Sequence, residues 1–147
     1  MSQVCQPTPG QRVKEPFHIP VAVGLVGPDG KDMALTLDGE DKPGPKTRVL
    51  HLTEREGTWR FKNVAEKPVP SLLRGFTAPV KLDANLKERD LVFLMKHDSD
   101  SFNRWEAAQR YATGLLVRMV EAAKDGSAPR KGTAFAEMVR DLVGAKK

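Results

Sequence analysis

The chain has 147 residues, 39% of them hydrophobic and 29% charged, with a formal net charge of +5 and a pI near 9.5. That length fits one average domain or two small ones, and no apolar run approaches the roughly 18 residues that span a membrane. A single cysteine, Cys5, excludes an internal disulfide framework and favours a reducing compartment. The amino terminus MSQVCQPTPG has neither a basic start nor an apolar stretch, so no secretion signal is read there and a cytoplasmic location is expected. The basic excess is not a nucleic-acid footprint: residues 1–82 hold 12 basic and 9 acidic side chains, and residues 83–147 hold 12 and 10. A nucleic-acid surface clusters Lys and Arg on one face or groove, whereas here the acids are interspersed throughout.

From Gln6 to Pro16 three prolines and a glycine predict an extended loop. Ile19, Val21, Val23 and Leu25 then alternate with His18, Pro20, Ala22 and Gly24, which predicts a half-buried strand. Pro20 cannot donate to a ladder, so it belongs at an edge or near the strand's start. Gly27-Pro28-Asp29-Gly30 is a turn signal. Met33, Leu35 and Leu37 alternate after it and predict the second arm of a hairpin. DGEDKPGPK, residues 38–46, reads as a surface loop. Strands are expected again over Arg48 to Leu52, over Thr58 to Phe61 with Trp59 and Phe61 on one face, and over Ser71 to Phe76. Short strands between turn signals favour a β-sandwich over an α/β sheet.

After Leu82 the apolar period lengthens to about 3.6, so residues 1–82 are read as β and 83–147 as helical. Asp83 or Asn85 is expected to cap a first helix carrying Leu91, Leu94 and Met95. Asp100 or Ser101 caps a second, with Phe102, Trp105, Ala112, Leu116, Met119 and Ala123 expected to mark its buried face and Gly126 to stop it. A third is expected from Thr133, with Phe135, Met138, Val139, Leu142 and Val143 as its stripe. The carboxyl half therefore reads as about three antiparallel helices.

Three ordered segments carry a family resemblance: PFHIPVAVGL from Pro16, PVPSLLRGFTAPV from Pro68, and HDSDSFNRWEA from His97. Together they resemble the junction between the small Ig-like β-sandwich and the C-terminal helical domain of the bacterial aminopeptidase N family, the alanyl zinc aminopeptidases of the gluzincin type. The resemblance covers nearly the whole chain, weakest at 38–47 and after Lys124, and Thr77 stands where the family pattern has Ser. It implies an incomplete sandwich over 1–82 and the first helices of a longer helical domain over 83–147. A partial sandwich and a partial helical stack leave an unpaired strand edge and an uncovered apolar face. Marginal stability or self-association is therefore expected of the isolated chain.

The family's chemistry does not come with the resemblance. Its zinc site is of the H-E-x-x-H type, but His18, His51 and His97 are followed by Ile19, Leu52 and Asp98, and no Gly-x-Met-Glu-Asn element is present. No cofactor is expected in this chain, and zinc only in a parent enzyme. His97, Asp98 and Asp100 suggest a cation loop, but Phe102 and Asn103 stand where an oxygen ligand and the turn glycine are needed, and helix capping accounts for the acids. No Gly-x-Ser-x-Gly surrounds Ser71, and Cys5 has no local base.

The residues singled out are structural ones at the domain junction: Leu72, Arg74, Phe76, Phe102, Arg104 and Trp105. The aromatics are expected to fill the helical core, with Arg104 pairing a nearby carboxylate. Alternatively they dock the helices on the sandwich through Arg74 and Phe76. What the resemblance implies is a non-catalytic spacer within an enzyme that removes amino-terminal residues from peptides, partnered by the catalytic and carboxyl-terminal portions of the same protein. The competing reading is a free-standing, protein-binding adaptor without enzymatic activity.

Overall fold

The computed structural model describes residues 1–127 together with 136, 137 and 140. β1 (Ile19–Val26) is the middle strand of a three-stranded antiparallel sheet. Along one edge it pairs with β3 (Thr47–Leu52), in register from Ile19 opposite Leu52 to Gly24 opposite Thr47. Along the other it pairs with β5 (Val69–Leu72), from Val23 opposite Leu72 to Val26 opposite Val69. Pro20 therefore lies near the start of β1, beyond the reach of β5, where its missing N–H leaves no gap on that side. A second, two-stranded sheet joins β2 (Thr36–Leu37) to β4 (Phe61–Lys62). Val21, Val23 and Leu50 of the first sheet pack with Leu73 and Ala78, and Leu37, Trp59 and Phe61 close over them.

Four expectations about this half are corrected. β1 is not half-buried, because every residue from Val21 to Val26 is buried. Two of its even positions are the small Ala22 and Gly24, which let another layer lie close on the second face. Gly27–Gly30 makes the expected turn, with Gly30 at φ 76, and Val26 bridges to Asp32. The chain then leaves β1, whose edges are taken by β3 and β5, so Thr36 and Leu37 pair with β4 instead of completing a hairpin. The strand expected over Thr58 to Phe61 is reduced to Phe61–Lys62. That expected over Ser71 to Phe76 ends at Leu72, because Leu73 adopts a left-handed conformation and Arg74–Phe76 form one 3₁₀ turn.

The helical part begins with α1 (Glu88–His97), later than a cap at Asp83 or Asn85 would place it. Asp90 accepts from the Lys87 N–H at 2.9 Å and sets the first turn from inside the helix. α2 (Ser101–Lys124) is capped by Asp100, which accepts from the Asn103 N–H at 2.8 Å. The two helices bury Leu94, Met95, Ala107 and Tyr111 against Val26 of β1. One sandwich strand thus serves two cores. The buried line on α2 is Asn103, Ala107 and Tyr111, and not the expected Phe102–Ala123 face. The third helix expected from Thr133 falls largely outside the described residues. No described helix is long and apolar enough to cross a membrane.

Candidate functional site at the Arg74 junction

β5 ends in a turn that the backbone disfavours, with Leu73 at φ 57, Gly75 at φ 64 and Phe76 at φ 54. For residues with a Cβ this region costs of order 1–3 kcal/mol each and persists only when its surroundings over-determine it. Here the turn drives the Arg74 side chain under β1, where it is only 4% exposed. A Cβ on Gly24 would lie 2.0 Å from the Arg74 Cζ, so the strand must carry glycine at that point. Thr77 ties the same turn to β1 by accepting from the Ala22 N–H at 3.1 Å.

The guanidinium has five N–H groups, and the surroundings supply five acceptors. Nε donates to Ser71 Oγ at 2.8 Å. Nη1 donates to Asp32 Oδ2 at 2.9 Å and Thr47 Oγ1 at 2.8 Å, and Nη2 to Asp32 Oδ1 at 2.7 Å and Asp98 Oδ1 at 3.1 Å. The fork on Asp32 is the bidentate geometry that only Arg offers. Ser71 belongs to β5, Asp32 follows the β1 turn, Thr47 opens β3 and Asp98 sits between α1 and α2. One side chain therefore ties three sandwich segments to the inter-helix corner.

The corner grips back. Asn103 Nδ2 donates to Ser71 Oγ at 2.8 Å and to the Leu72 carbonyl at 2.9 Å. Asp100 Oδ2 accepts from the Gly75 N–H at 2.9 Å, and Ser99 Oγ donates to Asp32. Asp98 is 2% exposed, and its Oδ1 also accepts from the Asp100 N–H at 3.0 Å. Asp32 is held below its ordinary carboxylate value, first by the Arg74 hydrogen bond, with burial opposing and the Ser99 hydroxyl assisting. Burial works against the charge on Arg74, but the Asp32 hydrogen bond and the charges of Asp98, Asp32 and Asp100 outweigh it and raise its pKa. This arrangement can hold two layers at a fixed angle. It presents neither a nucleophile beside a base nor a set of metal donors.

Zinc does not fit the donor set. His18 and His51 are hydrogen-bonded to each other at 2.7 Å on the exposed end of β1 and β3, while His97 lies far along the chain beside Gly30. Among the described residues no group of three or more His, Cys, Asp or Glu is placed to hold a metal ion.

Of the residues singled out from the sequence, Leu72 ends β5 and offers its carbonyl to Asn103, and Arg74 is the hub. Phe76 stacks on Phe102 at 5.1 Å, and Phe102 on Trp105 at 5.8 Å. Trp105 is 55% exposed, so it is not a core ring. Arg104 is exposed, and its side chain pairs with no described carboxylate. The reason is helical phase. Asn103 is pulled inward by Ser71 and Leu72, and 3.6 residues per turn then carry Ala107 and Tyr111 inward with it and rotate Trp105 outward. Asp32, Thr47, Gly24 and Asn103 were not anticipated. Gly24 has a legible signal, a glycine inside a strand that marks close approach; Asp32 has none.

The fold and junction define a small β-sandwich locked to a helical region. The chain belongs to the family described as a domain of unknown function with an Ig-like fold, DUF3458, which matches residues 1–85. Residues 88–147 match a companion family described as DUF3458_C, ARM repeats. The chain is homologous to a segment of aminopeptidase N. It is 43% identical to that protein from Escherichia coli (strain K12) over 109 residues, 74% of this chain and 12% of the relative. The Haemophilus influenzae aminopeptidase N is 36% identical over 128 residues, 87% of this chain and 14% of the relative. The crystal structure of Legionella pneumophila aminopeptidase A in complex with aspartic acid superposes with a TM-score of 0.64 at 25% identity, over 86% of this chain and 13% of that one. The chain thus spans 12 to 14% of the length of these curated relatives.

Proposed function

We propose that this chain is a non-catalytic segment of a zinc metalloaminopeptidase that removes amino-terminal residues from peptides, and that its part is positional. The observation that carries the reading is the Arg74 junction, which lies within the region matched to aminopeptidase N. Zinc would be held and water activated by other parts of the enzyme, since the donors here do not fit. The sandwich spaces the catalytic part from the helices, and the helices help to enclose the active site and limit access to it. The partners are then the catalytic and carboxyl-terminal portions of the same protein, with peptides as substrates of the whole. The single Cys5, which leaves no internal disulfide, supports the cytoplasm as its place.

The test begins with the endogenous product, detected with an antibody raised against this segment. A product far heavier than 16.2 kDa is expected. Deleting the segment from that product should abolish aminopeptidase activity although every zinc ligand is kept. Full activity after deletion would overturn the proposal. A stable product of 16.2 kDa would replace it with the adaptor reading.

A further inference from the structure

His18 and His51 sit at the exposed end of the first sheet, away from the Arg74 junction. His51 stands opposite Pro20 across the β1–β3 ladder, and His18 precedes Pro20 by two residues, so the two imidazoles rise from one face as diagonal neighbours. The backbone beneath them is held on both sides. Ile19 pairs with Leu52 in the ladder, and Gln3 joins the two strands just beyond it. Its Nε2 donates to the carbonyls of Phe17 at 2.8 Å and Glu54 at 2.9 Å, and its Oε1 accepts from the Phe17 N–H at 2.8 Å.

His18 Nε2 lies 2.7 Å from His51 Nδ1, with the ring centroids 5.0 Å apart. Two imidazole nitrogens each about 2.0 Å from one metal are about 2.8 Å apart at a right angle and about 3.3 Å apart at a tetrahedral one. The observed spacing matches the right angle, which suits a tetragonal cation and not tetrahedral zinc. One proton bridges the two nitrogens in the pair as it stands. Metal binding needs both bare, so that proton moves to the far nitrogen of its own ring and both imidazoles stay neutral. Both rings are exposed, which leaves room for the turn that makes their lone pairs converge.

We propose that His18 and His51 form a two-imidazole site for a divalent cation of tetragonal preference, copper(II) or nickel(II), which pins the start of β1 to the end of β3. Copper is the tighter of the two by the general order of affinities. No third His, Cys, Asp or Glu joins the pair among the described residues, so water fills the remaining positions. The site needs only β1, β3 and Gln3, all within this chain, and takes no part in zinc chemistry elsewhere in a longer enzyme.

The experiment uses the full 147-residue chain with Cys5→Ser, so that no thiol competes. Cu2+, Ni2+ and Zn2+ are titrated separately at neutral pH by calorimetry, and pulsed EPR counts the imidazoles on bound Cu2+. The expected result is one Cu2+ per chain carrying two imidazoles. Zn2+ should bind at least about tenfold more weakly than Cu2+. His18→Gln and His51→Gln should each weaken Cu2+ binding at least about tenfold, because the second donor is delivered at high effective concentration, while His97→Gln leaves it unchanged. Circular dichroism checks that each variant is folded, and the imidazole count on the chain with all three histidines decides the matter even where a variant is not. One imidazole or none on the copper, two chains sharing one ion, undiminished binding in a folded His18→Gln or His51→Gln chain, or Zn2+ bound as tightly as Cu2+ would overturn the proposal.

Discussion

Replacing Arg74 by methionine removes the cation that is hydrogen-bonded to both Asp32 and Asp98, while keeping an unbranched stem under Gly24. Asp32 and Asp98 then stay buried without the cation that bonds them, since their side chains are 9% and 0% exposed. Removing one partner of a buried pair costs about 3–5 kcal/mol, mostly as the penalty on the charge left behind. That is a large part of the roughly 5–15 kcal/mol that holds a domain together. At roughly 2–4 °C per kcal/mol for a chain of this size, the melting temperature should fall by about 6–20 °C at pH 7. Circular dichroism at 222 nm during thermal unfolding reads the change. The pH dependence adds an independent check. Asp32 is depressed in the folded state, so the unfolded chain takes up its proton first; the stabilisation is present above the ordinary value of 3.8 and is lost as pH falls through the lower folded value. Arg74→Met should weaken that acid-side loss. A variant that melts within about 1 °C of the parent and keeps the same acid limb would refute the clamp, because a charge-assisted hub cannot be removed silently.

Gly24→Ala should destabilise by about 1–3 kcal/mol, as overpacking does, because its Cβ would meet the Arg74 guanidinium; urea unfolding measures this, and the cost should shrink in an Arg74→Met background. Trp105→Ala should cost only about 1 kcal/mol, the worth of its ring contact with Phe102, and not the 3–5 kcal/mol of a core ring; a larger drop in urea midpoint would show that the ring is covered. Asp100→Ala should cost about 1–2 kcal/mol, since it removes the α2 cap and the bond to the Gly75 N–H together, and hydrogen exchange should quicken at Asn103 and Gly75.

Much of the architecture was legible in the residues. Alternating Ile19, Val21 and Val23 mark a strand whatever lies beside it, because period 2 is a property of the backbone. Gly27-Pro28-Asp29-Gly30 marks its own turn, and Asp100 and Gly126 mark the ends of α2, because caps and turns are satisfied within a few residues. The three ordered segments led to the family now shown by the match to residues 1–85 and by the aminopeptidase N relatives. Pairing was less legible. Leu35 and Leu37 alternate as a hairpin arm should, yet the edges of β1 go to strands from farther along the chain. Which edge a strand finds is a long-range competition that local pattern does not enter.

The division shows most clearly on α2. The sequence by itself determined that residues 101–124 form a capped helix with an apolar stripe through Trp105 and Leu116, since capping and periodicity act over a few residues. Only the tertiary structure decided which way that helix faces. Its rotation is set by Asn103 reaching Ser71 and Leu72, and by Asp98 and Asp100 meeting the Arg74 turn, across sequence separations of 24 to 32 residues. Those bonds form where two layers meet, and their energy depends on both layers being in place. A buried Arg with five acceptors therefore outweighs a stripe that local pattern alone would have turned inward.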